Sequence, residues 1–155
     1  MSQIGRILLV DDSPRDVELT LEALATENLA NDVLVLEDGA EALDYLYLRG
    51  RWAEREPGLP AVMLLDIKMP RVDGLEVLRT VCADPALRNL PIVLVTSSRE
   101  EPDLDEAYRL GTNAYLVKPV GVEQFIRAAA TLGIFWAVLN EPPPRRFASP
   151  GKAEE

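Results

Sequence analysis

The sequence predicts a doubly wound α/β fold, an open parallel sheet with helices on both faces. Short apolar runs alternate with amphipathic segments five times along the 155 residues. The runs are nearly continuous Val, Ile and Leu, the composition of strands buried on both sides. Four of them pass directly into a polar residue, which in an open parallel sheet puts those residues together at the carboxyl edge. Strands alternating with helices in this way are joined by right-handed crossovers.

Each element has its own signal. Ile7-Leu8-Leu9-Val10 is the first strand and ends on Asp11-Asp12. Ser13-Pro14 reads as a helix N-cap followed by proline at the first helical position. Val17, Leu21 and Leu24 then recur at helical spacing, predicting a helix to about Glu27. Val33 to Leu36 is the second strand. Asp38-Gly39-Ala40-Glu41 resembles a capping box, with Leu43, Leu46 and Tyr47 expected on one face of the helix it opens.

Gly50 to Pro60 is a charged connection, long for a helix-to-strand link, and is expected to be a solvated surface loop. Ala61 to Leu65 is the third apolar run and ends on Asp66. Pro70 and Asp73-Gly74 turn the chain into a third helix with Leu75, Leu78 and Cys82 inward. Pro91 to Val95 is a fourth strand ending in Thr96-Ser97-Ser98. A fourth helix runs through Tyr108 and stops at Gly111, a left-handed cap. Ala114 to Val117 is a short fifth strand ending at Lys118-Pro119. The last helix starts near Gly121 and is expected to run to about Leu139, where Pro142-Pro143-Pro144 stops it.

Composition narrows the function. The net charge of −10 argues against a nucleic-acid surface, which needs a basic patch. With one cysteine, Cys82, no internal disulfide can form. The apolar run near the N-terminus is too short for a signal peptide or membrane span, so a cytoplasmic location is expected. The chain has no histidine. This excludes a Ser-His-Asp triad, a His-ligated zinc site and an internal phosphohistidine.

Asp11 and Asp12, Asp66, Thr96 and Lys118 therefore share one edge of the predicted sheet. Carboxylates ~4 Å apart repel by roughly 4 kcal/mol at an effective dielectric of 20, which a divalent cation relieves. Oxygen-only ligands suit magnesium better than zinc. The cation and the Lys118 ammonium would stabilise charge on a transferring phosphoryl group, with Asp66 as the nucleophile that receives it. Each residue alone has a plainer explanation, a helix cap for an Asp or Thr96 and a surface cation for Lys118. Their joint appearance at four strand ends is what capping does not supply.

The segments Leu-Val-Asp-Asp-Ser-Pro, Leu-Leu-Asp-Ile-Lys-Met-Pro-Arg-Val-Asp-Gly, Val-Thr-Ser-Ser and Ala-Tyr-Leu-Val-Lys-Pro resemble the receiver domain of two-component response regulators, over roughly residues 5 to 139. The resemblance implies a flavodoxin-like (βα)5 sheet of strand order 2-1-3-4-5 with an extended C-terminal helix. It implies that Asp66 is the phosphoacceptor and that Asp11, Asp12, Asp66 and the backbone carbonyl of Lys68 hold Mg2+. It implies that Thr96 and Lys118 bind the phosphoryl group, with Pro119 cis, and that Thr96 and Tyr115 form the switch. The output would be a population shift of the surface around the fourth helix, fifth strand and fifth helix for a partner to bind, or the chain would act as a phosphate sink. The phosphoryl donor would be a histidine kinase. Lys68 departs from many members, which carry a short or polar side chain there, and is expected to alter autodephosphorylation. The long loop before the third strand, the Asp-Ser-Pro-Arg-Asp opening and Phe135-Trp136 look like the stand-alone regulators that partner bacterial phytochrome-type kinases.

The receiver domain is expected over residues 1–140 and a disordered tail over 141–155, too short for an output domain. Ile134 to Leu139 is six consecutive apolar residues, more than a stripe facing a sheet can bury. A symmetric homodimer through Phe135, Trp136 and Leu139 is the preferred reading, and a tail folded over them the alternative. Three rivals bear on function. A haloacid-dehalogenase-type aspartyl phosphatase would want a second Asp where Lys68 stands. A flavin carrier would need a phosphate loop where Asp11-Asp12 repel one. A non-phosphorylated adaptor would have no use for the acidic site. The receiver reading makes the chain no enzyme beyond its own phosphorylation and dephosphorylation.

Overall fold

Five parallel strands lie in the order β2-β1-β3-β4-β5, the flavodoxin-like arrangement expected. The computed structural model describes residues 6–26, 32–69, 71–97, 102–112 and 114–133. Within them the strands are β1 (Ile7–Val10), β2 (Val33–Leu36), β3 (Val62–Asp66), β4 (Ile92–Thr96) and β5 (Tyr115–Val117). The helices are α1 (Pro14–Ala25), α2 (Gly39–Leu46), α3 (Gly74–Ala83), α4 (Asp103–Arg109) and α5 (Val122–Leu132).

Side chains of one strand point alternately to opposite faces, and here both faces are covered. Ile7 and Leu9 of β1, Val62 and Leu64 of β3, and Val93 and Val95 of β4 pack with Leu24 of α1 and Phe125 and Ala129 of α5. The intervening Leu8, Val10, Met63, Leu65 and Leu94 pack with Leu46, Leu75, Leu78 and Leu104 of α2, α3 and α4. This two-sided burial is why the central strands read as unbroken apolar runs rather than alternating ones.

Three helix starts carry side-chain caps: Ser13 accepts from the Asp16 amide at 3.3 Å, Asp38 from Glu41 at 2.8 Å and Asp73 from Glu76 at 3.0 Å. The capping box at Asp38 is only half formed. Its Glu41 carboxylate turns back to the amide of Glu37, one residue earlier, and also receives the Arg51 guanidinium. On α2 the buried residues are Gly39, Ala42, Tyr45 and Leu46, whereas Leu43 and, just past the helix, Tyr47 are half-buried. Cys82 is likewise half-buried.

One expectation gains detail and a second needs correction. The connection from Gly50 to Pro60 is mostly exposed, as expected, but it is anchored. It opens with a 3-10 turn over Gly50–Trp52, Trp52 meets Tyr45 edge-on at 5.0 Å, and the Arg55 guanidinium lies 3.9 Å from the Tyr45 ring centroid. Arg55 also donates to the carbonyls of Tyr45, Glu56 and Gly58, so one side chain supplies the hydrogen bonds an irregular loop otherwise lacks. The second concerns the last helix. α5 ends at Leu132, because Gly133 adopts φ +73°, a left-handed cap that halts the helical ladder. Glu27, Pro70, Ser98, the dimer candidates Phe135, Trp136 and Leu139, and the tail over 141–155 lie outside the described residues.

Candidate functional site

The register of the sheet assembles the site. Val10 pairs with Leu65, so the next residues, Asp11 and Asp66, emerge side by side at the carboxyl edge. Asp66 is the last residue of β3 and pairs with Val95. Thr96 pairs with Val117, which leaves Lys118 one step beyond the same edge. The Lys118 amide donates to the Thr96 carbonyl at 2.8 Å, and the Lys118-Pro119 peptide is cis.

Tight turns hold these residues. The carboxylate of Asp11 accepts from the Ser13 amide at 2.9 Å, which turns the chain from β1 into α1. The carboxylate of Asp66 accepts from the Lys68 amide at 3.3 Å. Behind it Gly74 donates its amide to the Ile67 carbonyl at 2.9 Å and packs so close that a Cβ would fall 2.3 Å from the Asp66 carbonyl oxygen. Only glycine permits that approach, which fixes the loop between β3 and α3.

The Lys118 ammonium is the centre of the site's electrostatics. It lies 2.9 Å from Asp66 Oδ2, 3.1 Å from Asp11 Oδ2 and 2.8 Å from Asp16 Oδ2. Burial alone would drive its proton off, but the hydrogen bonds to Asp16 and Asp66 outweigh that and hold it firmly charged. Burial pushes the Asp66 carboxyl up to about 6, with the Asp11 carboxylate adding to the rise and Lys118 opposing it. Lys118 holds Asp16 below the usual carboxylate range.

One carboxylate oxygen each from Asp11, Asp12 and Asp66 lie within 4.8 Å of one another. Three hard oxygen donors with one member, Asp12, open to solvent fit a divalent cation that keeps several waters. Thr96 is buried (2% exposed) beside them at the end of β4. The structure thus brings Asp11, Asp12, Asp66, Thr96 and Lys118 to one edge. The Lys68 side chain reaches Asp103 on α4 at 3.3 Å. Tyr115 is half-buried on β5, its ring edge-on to Tyr108 at 6.2 Å. Sequence reasoning missed Asp16. A first-turn aspartate behind a Ser-Pro cap looks like ordinary helix-dipole complementation, and nothing local says that it meets a lysine 102 residues away.

Comparison with known proteins agrees with this geometry. A family model described as the response regulator receiver domain matches residues 7–130. Response regulator Rcp1 of Synechocystis sp. is 35% identical over 130 residues, covering 84% of this chain and 87% of that protein. A solved structure of Rcp1 in a Mn2+-bound form superposes with a TM-score of 0.70 at 32% identity, over 90% of this chain and 99% of that one. The bacteriophytochrome response regulator RtBRR gives a TM-score of 0.81 at 57% identity, over 92% of this chain and 86% of that one. The phosphorylated cyanobacterial phytochrome response regulator RcpA gives 0.68 at 34% identity, over 87% and 94%.

Proposed function

Since the chain belongs to the response regulator receiver domain family, we propose that it is phosphorylated on Asp66 by a phytochrome-type histidine kinase and signals through its own altered surface. The observation that carries this reading is the half-buried Lys118 ammonium, 2.9 Å from Asp66 Oδ2 and within 3.1 Å of carboxylate oxygens of Asp11 and Asp16. That is a site built for an anion and a metal rather than for packing.

In the proposed reaction an Asp66 oxygen attacks the phosphorus of a phosphohistidine. The P–O bond forms as the P–N bond breaks, and the electron pair leaves with the imidazole, which takes its proton from solvent. Mg2+ held by Asp11, Asp12, Asp66 and the Lys68 carbonyl would neutralise the charge gathered on the carboxylates and the phosphoryl oxygens. Lys118 pairs with one phosphoryl oxygen, and the buried Thr96 hydroxyl donates to another. Movement of Thr96 toward that oxygen clears space for Tyr115 to turn inward from its edge-on contact with Tyr108. The consequence is a changed α4-β5-α5 surface.

The phytochrome-type donor rests on the names of RtBRR and RcpA, the cytoplasmic location on a histidine-kinase partner, and the homodimer through Phe135, Trp136 and Leu139 on the apolar run they belong to. No helix among the described residues is long and apolar enough to cross a membrane. We take the receiver unit as residues 1–140. The chain's own chemistry is confined to Asp66. Lys68 stands where an aspartyl phosphatase wants its second acid, and its side chain is an ammonium paired with Asp103 rather than a carboxylic acid.

Beryllofluoride with Mg2+ tests the reading, because it mimics the acyl phosphate. Binding by calorimetry that disappears in Asp66→Asn is the expected result. Steady turnover of a small phosphoester would overturn it in favour of an aspartyl phosphatase.

A further inference from the structure

We infer that Asp16 is a positioning residue for the phosphoryl transfer, the anchor that keeps the Lys118 ammonium at the site when its other carboxylate partners are taken up by metal and phosphate. This rests on the receiver reading of the same site and adds a residue to it.

A lysine ammonium has three N–H donors, and here three carboxylate oxygens lie within 3.1 Å of it, from Asp16, Asp66 and Asp11. Two of these partners, Asp11 and Asp66, belong to the oxygen cluster that fits a divalent cation, and Asp16 does not. When that cluster loads and Asp66 becomes an acyl phosphate, the carboxylates of Asp11 and Asp66 themselves lose negative charge toward Lys118. Asp16 keeps its own. Its position is set by the first turn of α1, where its amide is capped by the Ser13 side chain. Held at 2.8 Å by Asp16, the ammonium keeps one donor committed and stays aimed at the phosphoryl oxygen with which it pairs. Without it, a four-carbon side chain at the protein edge has solvent as its alternative, and its placement for each transfer must be found anew.

The test is a double-mutant cycle between Asp16 and Lys118. Phosphorylation by acetyl phosphate with Mg2+ is followed by intact mass, and beryllofluoride binding by calorimetry, for wild type, Asp16→Ala, Lys118→Ala and the double variant. Asp16→Ala is expected to slow phosphorylation and weaken beryllofluoride binding by about tenfold, the worth of a charge-assisted hydrogen bond. In the Lys118→Ala background the same substitution should cause no loss. Asp16→Asn, which keeps an acceptor of the same shape, should recover part of the rate, and it replaces Asp16→Ala in the cycle if the alanine variant fails to fold. Equal rates in wild type and Asp16→Ala, or an equal loss in both backgrounds, would overturn the inference. A wild-type chain that takes up no phosphoryl mass would instead sink the receiver reading beneath it.

Discussion

Lys68 Nζ lies 3.3 Å from Asp103 Oδ2, so the turn that follows the candidate phosphoacceptor is tied to the first residue of α4. The pair is solvated, with the lysine side chain 68% exposed, and such pairs contribute roughly 0–1 kcal/mol. Its interest is positional. It draws a long cation across the mouth of the site and away from the metal cluster.

Lys68→Asn is therefore expected to leave unfolding free energy within about 1 kcal/mol of wild type. It should shorten the lifetime of the phosphorylated form, because the shorter side chain opens the mouth to an attacking water. Decay of phosphorylated protein followed by intact mass measures this. An unchanged lifetime would mean that the side chain stays clear of the water's path.

Gly74→Ala places a Cβ 2.3 Å from the Asp66 carbonyl oxygen and 2.8 Å from the Ile67 Cα. Backbone, not a flexible side chain, must then move. A loss of about 1–3 kcal/mol in urea unfolding is expected, the usual cost of overpacking, together with weaker beryllofluoride binding as Asp66 shifts.

Mg2+ should raise the melting temperature of protein stripped with EDTA. At a hundredfold excess over Kd the stabilisation is about 2.7 kcal/mol. Asp12→Asn should abolish most of that rise while leaving the stripped protein no less stable, since Asp12 is exposed and the amide no longer repels Asp11 and Asp66. An equal rise in both proteins would place the cation elsewhere.

Arg55→Ala removes the guanidinium from the face of Tyr45 and from three carbonyls. About 1–3 kcal/mol of stability should be lost. Arg55→Lys should recover little of it, because an ammonium lacks the planar fork that reaches carbonyls and ring together.

The sheet was legible in the sequence because burial on both faces writes each strand as an unbroken apolar run, and β1, β2 and β4 stand within a residue of where those runs lie. The site was legible for the same reason, since Asp11, Asp66, Thr96 and Lys118 each interrupt such a run at its carboxyl end. Contacts that depend on two distant side chains finding each other left no local trace. Asp16 meets Lys118, Lys68 meets Asp103, and Arg55 covers Tyr45, each pairing an ordinary-looking surface residue with a partner fixed only by the fold. The α5 end was misread because an apolar run past Gly133 outweighed one glycine, whose left-handed φ of +73° decides the matter.

Incubation with acetyl phosphate and Mg2+, followed by intact mass spectrometry of wild type and Asp66→Asn side by side, bears most directly on Asp66 as the phosphoryl acceptor. One phosphoryl group on the wild type, absent from the variant and from wild type held in EDTA, is the expected result. No added mass on the wild type, or the same mass on Asp66→Asn, would contradict it.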